Sequence, residues 1–117
     1  MVEDNRTAVT GKVQHFISRY IRSVWQLELL LALLSASKPL NSSEIASILY
    51  ISKDAIEAAL GTYAKYGLVK LIDGGYVYST EDPDLLDAIK QTSKAYSERR
   101  SSVINLIFTG PRKSVGG

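Results

Sequence analysis

Between residues 41 and 78 the apolar residues change from a helical spacing to a strand spacing, with a stop signal between segments. Asn41 precedes Glu44 by three residues, a pattern typical of a helix N-terminus. Gly67 stands where a left-handed residue would end a later helix. Two short apolar runs then flank Asp73-Gly74-Gly75, which predicts a hairpin turn between two strands. This stretch therefore predicts helix, turn, helix and hairpin in that order.

The second helix of this stretch has a clear inner and outer side. Ser52 is a candidate N-cap, and the residues that share one face beyond it are apolar: Ile56, Leu60 and Tyr63. We expect these three side chains to be buried. The residues left on the opposite side, called the outward face below, are Ser52, Lys53, Asp54, Glu57, Ala58, Gly61, Thr62 and Lys65.

Further helices are predicted on both sides of this stretch. A first helix is expected over about 10–22, followed from about 24 by a helix that is apolar around most of its circumference and is therefore expected to be buried. Ser23 and Gln26 have the spacing of a capping box between these two helices. After Asp82-Pro83 one long helix is expected over about 83–108, with a loose tail at 109–117.

Composition favours a single globular domain over residues 1–117 and disfavours an enzyme. The chain has no cysteine and one histidine, so it offers neither thiolate ligands nor a histidine-based catalytic pair. No Gly-rich loop has the form that binds phosphate. We therefore expect no cofactor and no metal. The chain also lacks an apolar run long enough to cross a bilayer and has no signal-peptide pattern, so a cytoplasmic location is expected.

The segment SSEIASILYISKDAIEAALGTYAKYGLVKLIDGGYVYS resembles the winged helix-turn-helix of bacterial transcriptional regulators, including MarR-like proteins. The likeness covers about residues 24–80, and the step from a basic residue through Gly67-Leu68-Val69 is part of it. It implies a mainly α fold with a small β-hairpin, carrying an extra helix at each end. It also implies a transcriptional regulator that binds double-stranded DNA as a homodimer.

In such proteins the second helix of the motif enters the major groove, and its outward side chains contact bases and phosphates. The resemblance places DNA contacts on the outward face and on the wing, the hairpin that follows. We expect lysines to contact phosphate or guanine, hydroxyls to contact phosphate, and Ala58 to touch a thymine methyl group. The candidate residues are Ser52, Lys53, Glu57, Ala58, Thr62, Lys65 and Lys70.

The charge pattern leaves a second function open. Residues 24–80 carry four basic and five acidic side chains, and the hairpin tip has no arginine to enter a minor groove. The positive excess lies instead on the flanking helices and the tail. A winged helix can also bind proteins, so the alternative is a protein-interaction module, an adaptor or partner of a regulatory protein. A ligand-sensing pocket is compatible with either function.

Apolar residues on the two end helices predict a homodimer. One small domain cannot easily cover both apolar faces, whereas two copies could pack them together and set two DNA-binding helices at a fixed spacing. The alternative is that the last helix folds back on its own domain. The predicted interface residues are Phe16, Ile17, Tyr20, Leu85, Ile89, Tyr96, Val103 and Ile107.

Overall fold

A computed structural model describes residues 9–109 and divides the chain into two compact units. Of the described residues, 9–24 and 83–109 form the end-helix unit, and 25–82 form the central unit. The described residues are mainly helical with one small antiparallel hairpin, which confirms the predicted class. The elements are α1 (Gly11–Tyr20), α2 (Val24–Ser35), α3 (Ser42–Leu49), α4 (Lys53–Lys65), β1 (Val69–Ile72), β2 (Gly75–Tyr78), α5 (Pro83–Glu98) and α6 (Arg100–Thr109).

The residues outside this range include the predicted loose tail, of which only Thr109 is described. Within residues 9–109, no helix combines the length and the apolar content that a bilayer crossing requires.

The start of α3 follows directly from the sequence signal at Asn41. The Asn41 side chain accepts a hydrogen bond from the Glu44 N–H at 2.8 Å, and the Glu44 carboxylate accepts one from the Asn41 N–H at 2.9 Å. This reciprocal capping box satisfies two N–H groups that the first helical turn leaves without partners. Lys38 lies 3.3 Å from the same carboxylate. Both contacts hold the pKa of Glu44 below its usual value, the backbone hydrogen bond being the larger cause.

The hairpin has a shorter turn than the sequence suggested. Ile72 pairs with Gly75, so Asp73 and Gly74 alone connect the strands and Gly75 is the first residue of β2. Both turn residues have positive φ, 50° for Asp73 and 78° for Gly74. This is the pattern of a type I′ turn, whose twist matches that of the flanking strands.

A short extended segment before α3 adds a third partner to this hairpin. Leu40 forms an isolated antiparallel bridge with Tyr76 through two backbone hydrogen bonds of 3.1 and 2.7 Å. The neighbouring Pro39 approaches Gly75 so closely that a Cβ atom added there would lie 2.8 Å from the Pro39 Cβ. The bridge therefore requires glycine at the first position of β2.

In the end-helix unit, α1 packs against α5 and α6. Thr10 caps α1 by accepting a hydrogen bond from the Val13 N–H at 3.3 Å and donates one to Gln91 at 3.2 Å. Lys12 lies 2.8 Å from Asp87 and lowers the pKa of that carboxyl group. Polar contacts therefore join the start of α1 to α5, beside an apolar core.

The sequence predicted one helix over about 83–108, but the structure has two. Arg99 interrupts the helical assignment between α5 and α6, although its N–H donates to the Ala95 carbonyl and its carbonyl accepts from the Val103 N–H. Neither proline nor glycine stands near Arg99, so no local signal marks this position. The predicted start at Pro83 is confirmed.

The capping box predicted at Ser23 and Gln26 is wrong. The Ser23 hydroxyl is buried and has no hydrogen-bond partner among the described residues. The chain leaves the helical conformation after Tyr20, where the Ile21 N–H still donates to the Ile17 carbonyl. Residues 21–23 therefore separate α1 from α2 without an N-cap from Ser23.

Most residues predicted at a dimer interface are already buried inside one chain. Six of the eight are less than one-tenth exposed, and Tyr20 and Leu85 are half-buried. The last two helices pack on the first helix of the same chain, so these side chains could meet a second copy only if α1, α5 and α6 separated. The dimer stays a prediction, but its expected surface is covered by intramolecular contacts. The six are Phe16, Ile17, Ile89, Tyr96, Val103 and Ile107.

We expect Gly75→Ala to lower the free energy of unfolding by about 1–3 kcal/mol, because its Cβ would overlap the rigid Pro39 ring. Gly61→Ala is the matched control, since no atom lies within 4 Å of its added Cβ and it replaces glycine within a helix. That variant should gain about 0.5–1 kcal/mol. Urea denaturation of both variants measures the difference, and equal stability would contradict the close approach at Gly75.

Candidate nucleic-acid interface

Capping at both ends fixes the length of α4. The Ser52 hydroxyl accepts a hydrogen bond from the Ala55 N–H at 3.2 Å, which confirms the predicted N-cap. At the other end the Leu68 N–H donates to the Tyr63 carbonyl and the Gly67 N–H donates to the Ala64 carbonyl. With Gly67 at a φ of 78°, these bonds form a Schellman motif and end the helix where the sequence predicted.

The structure places the predicted inner and outer sides of α4 as expected. Ile56, Leu60 and Tyr63 are at most 2% exposed, whereas every residue of the outward face is exposed. Six of the seven candidate DNA contacts therefore share one accessible side of α4. The seventh, Lys70, is exposed on β1.

Two of the candidate DNA contacts, Lys53 and Glu57, already contact other side chains of the central unit. The Glu57 carboxylate accepts a hydrogen bond from the Ser42 hydroxyl at 2.9 Å and lies 4.0 Å from the Lys53 ammonium. Glu57 therefore links α3 to α4 and partly compensates the charge of Lys53. Such an exposed ion pair is weak, but Lys53 would have to exchange it for a phosphate contact.

The two candidate hydroxyl groups, of Ser52 and Thr62, differ in whether they can still donate a hydrogen bond to a ligand. Thr62 donates its hydroxyl proton to the Ala58 carbonyl at 3.2 Å, so only acceptor positions remain. Ser52 uses its hydroxyl as an acceptor and keeps the proton. Because phosphate oxygens only accept hydrogen bonds, Ser52 is the better phosphate contact of the two.

Lys65 and Lys70 are the cations of this surface that remain available. Neither forms an ion pair with another described residue, and both are exposed. Lys65 lies in the last turn of α4, and Lys70 follows five residues later on β1. The available positive charge therefore lies where α4 meets the hairpin rather than at the start of α4.

The net charge of the whole central unit has the same sign as that of DNA. Residues 25–82 contain four basic and seven acidic side chains, a net charge of −3. The described part of the end-helix unit, residues 9–24 and 83–109, contains seven basic and three acidic side chains, a net charge of +4. The two units thus carry opposite charge.

One feature of this surface was missed from the sequence. Tyr50, between α3 and α4, has a φ of 58° and is 93% exposed. The left-handed conformation strains a residue with a large side chain, and glycine or asparagine is usual there. Ile48, Leu71 and Ile72 are also exposed in the central unit. A tyrosine between a helix end and an N-cap was the signal that could have drawn attention to this turn.

No group of three histidine, cysteine, aspartate or glutamate side chains is arranged to hold a metal ion within residues 9–109. The end-helix unit has an open cleft of about 340 Å³ between the start of α1 and the end of α5. Val9, Val13 and Ala95 line its apolar part, and its charged rim includes Lys94, Glu98 and Arg99.

Comparisons with protein-family models, with curated proteins and with solved structures found no match to this chain.

We expect Tyr50→Gly to raise the melting temperature, since glycine adopts the left-handed conformation without strain. The relieved strain is about 1–2 kcal/mol, and the extra freedom of the unfolded chain offsets part of it. Tyr50→Ala is the control, because it removes the side chain but keeps the strain. Thermal unfolding followed by circular dichroism compares them, and an Ala variant as stable as the Gly variant would contradict the strain at Tyr50.

Proposed function

We propose that the central unit is a winged helix and that the protein is a DNA-binding transcriptional regulator. The order of elements supports the fold: a helix, an extended residue that bridges to the hairpin, two helices joined by a tight turn, and the hairpin itself. In a winged helix the short strand before the second helix pairs with the wing, which is the position of Leu40 beside Tyr76 here.

The observation that carries the function is the division of α4 into a buried side and a fully accessible side. A helix held by a buried face against its own unit can present the opposite face to the major groove. Its accessible residues include a donor hydroxyl at Ser52, an apolar side chain at Ala58 and an available cation at Lys65. These would contact phosphate, a thymine methyl group, and phosphate or guanine respectively.

The remaining candidates have lesser roles in this proposal. Lys70 would contact the backbone from the wing, and Lys53 would do so after leaving Glu57. Glu57 itself positions α4 through Ser42, and Thr62 accepts rather than donates. We propose that the protein acts in the cytoplasm as a homodimer, which would set two copies of α4 at the spacing of two half-sites. Of the predicted interface residues, the half-buried Tyr20 and Leu85 are those that a second copy could contact.

A second candidate function is protein binding by the same unit. Tyr50 is 93% exposed, and tyrosine is enriched among the residues that contribute most to binding in protein interfaces. The net charge of −3 favours a partner with a basic surface over DNA. The partner would then be another regulatory protein, with the winged helix acting as an adaptor.

Binding to a random-sequence DNA duplex at several salt concentrations distinguishes these functions. If α4 binds DNA, affinity should fall steeply with salt because counterions are released from the phosphates. Lys65→Ala should lower the slope of log affinity against log salt by about 0.9. The control is Lys38→Ala, since Lys38 is paired with Glu44 and lies outside α4.

A wild-type protein that shows no salt-sensitive binding would overturn DNA binding and leave the protein-interaction function. Equal slopes for wild type and Lys65→Ala would exclude Lys65 as a phosphate contact. A lower slope for Lys38→Ala would show instead that overall charge, and not the position of the cation, determines binding.

A further inference from the structure

The positive charge of this chain lies outside the unit that carries the candidate DNA-binding helix. From residue 88 to residue 109 there are four cations and a single carboxylate, Glu98. α6 contains no acidic residue. Together with residues 9–24, which contain Lys12, Arg19 and Arg22 and no carboxylate, this segment gives the end-helix unit its positive charge.

The cations of the end-helix unit differ in whether their charge is already compensated. Lys12 lies 2.8 Å from Asp87 and 4.0 Å from Asp84. Lys90, Lys94 and Arg99 are exposed and form no ion pair within 4.0 Å with another described residue. Lys90 is still near enough to Asp87 to add to the effect of Lys12, which lowers the pKa of that carboxyl group. Arg100 stacks on the Tyr96 ring, with its guanidinium carbon 4.4 Å from the ring centre. Stacking orients the guanidinium without neutralising it.

The three exposed cations that form no ion pair lie along α5 and just after its last residue. Lys90 and Lys94 are four residues apart on α5, which places them on one helix face. Lys94 and Arg99 both line the cleft described above. We call Lys90, Lys94 and Arg99 the basic strip.

We propose that the basic strip binds the phosphate backbone of duplex DNA and supplies a large part of the affinity that the negatively charged central unit lacks. This inference rests on the proposed DNA-binding function and adds the backbone contacts to it. Backbone contacts need charge and donors but no base sequence, and the strip provides only those. In this proposal α4 provides the sequence preference, and the basic strip provides binding affinity that does not depend on sequence.

The surroundings of the strip favour DNA over an anionic membrane. A helix that binds a membrane surface places large apolar side chains next to its cations. Here the exposed and half-exposed positions beside the strip are small or polar, with no large apolar side chain: Gln91, Ser93, Ala95, Ser97 and Glu98. The exposed apolar residues of these helices, Leu86 and Phe108, stand at the far ends of the segment.

The test is a salt titration of the full chain with a random duplex of about 20 base pairs, from about 50 to 200 mM salt. The variant is Lys90→Ala, Lys94→Ala and Arg99→Ala combined. Its slope of log affinity against log salt should be lower by about 2.7, and its affinity near 0.1 M salt lower by about two orders of magnitude. A variant that keeps the charges, Lys90→Arg, Lys94→Arg and Arg99→Lys, should bind like wild type.

The matched control is Lys12→Ala, which removes a cation of the same unit whose charge is already compensated. It should leave the slope unchanged, whereas a loss equal to that of one strip cation would overturn the proposal. Thermal unfolding by circular dichroism checks that each variant is folded. Because all three strip residues are exposed, their removal should leave the melting temperature close to that of wild type.

The outcomes separate this inference from the proposed function. A wild type that binds DNA, with an unchanged slope for the triple variant, overturns the strip and keeps the function of α4. A wild type that binds no duplex overturns both. Binding to anionic vesicles but not to duplex, lost in the triple variant, would make the strip a membrane contact and would also overturn the proposal.

Discussion

The central unit depends on one close backbone approach, between Leu40 and the first residues of β2. The two hydrogen bonds from Leu40 to Tyr76 join the segment before α3 to the hairpin that follows α4. They close the chain between these points into a loop that contains both helices of the motif. Gly75 makes this possible because no side chain stands between β2 and Pro39. The contact therefore holds the segment before α3 against the hairpin.

Signals that act within a few residues predicted the fold well. Asn41, Ser52 and Gly67 cap helices through bonds to groups at most five residues away, so their effect is visible in the sequence. The bridge at Leu40 joins residues far apart in the chain and could not be predicted in this way. The break at Arg99 also has no local signal. Ser23 shows the opposite error, since a capping pattern is present but the Ser23 hydroxyl makes no capping bond.

In the candidate site too, local patterns were predictable from the sequence and contacts between helices were not. Periodicity predicted which side chains of α4 would be accessible, because a helix with one buried face fixes the direction of the others. It could not predict that Glu57 would bond Ser42, because that contact joins two helices. Nor could it show which lysines are compensated. Those contacts leave the available positive charge of α4 at its end, on Lys65, rather than at its start, on Lys53.

The two-residue turn of the hairpin restricts how this protein could change during evolution. Both Asp73 and Gly74 have positive φ, so an arginine at either position would be strained. A single substitution at the tip is therefore a poor route to a wing that enters the minor groove. Lengthening the loop would supply positions with ordinary backbone angles. The hairpin geometry thus makes an insertion, rather than a point mutation, the easier way to acquire minor-groove recognition.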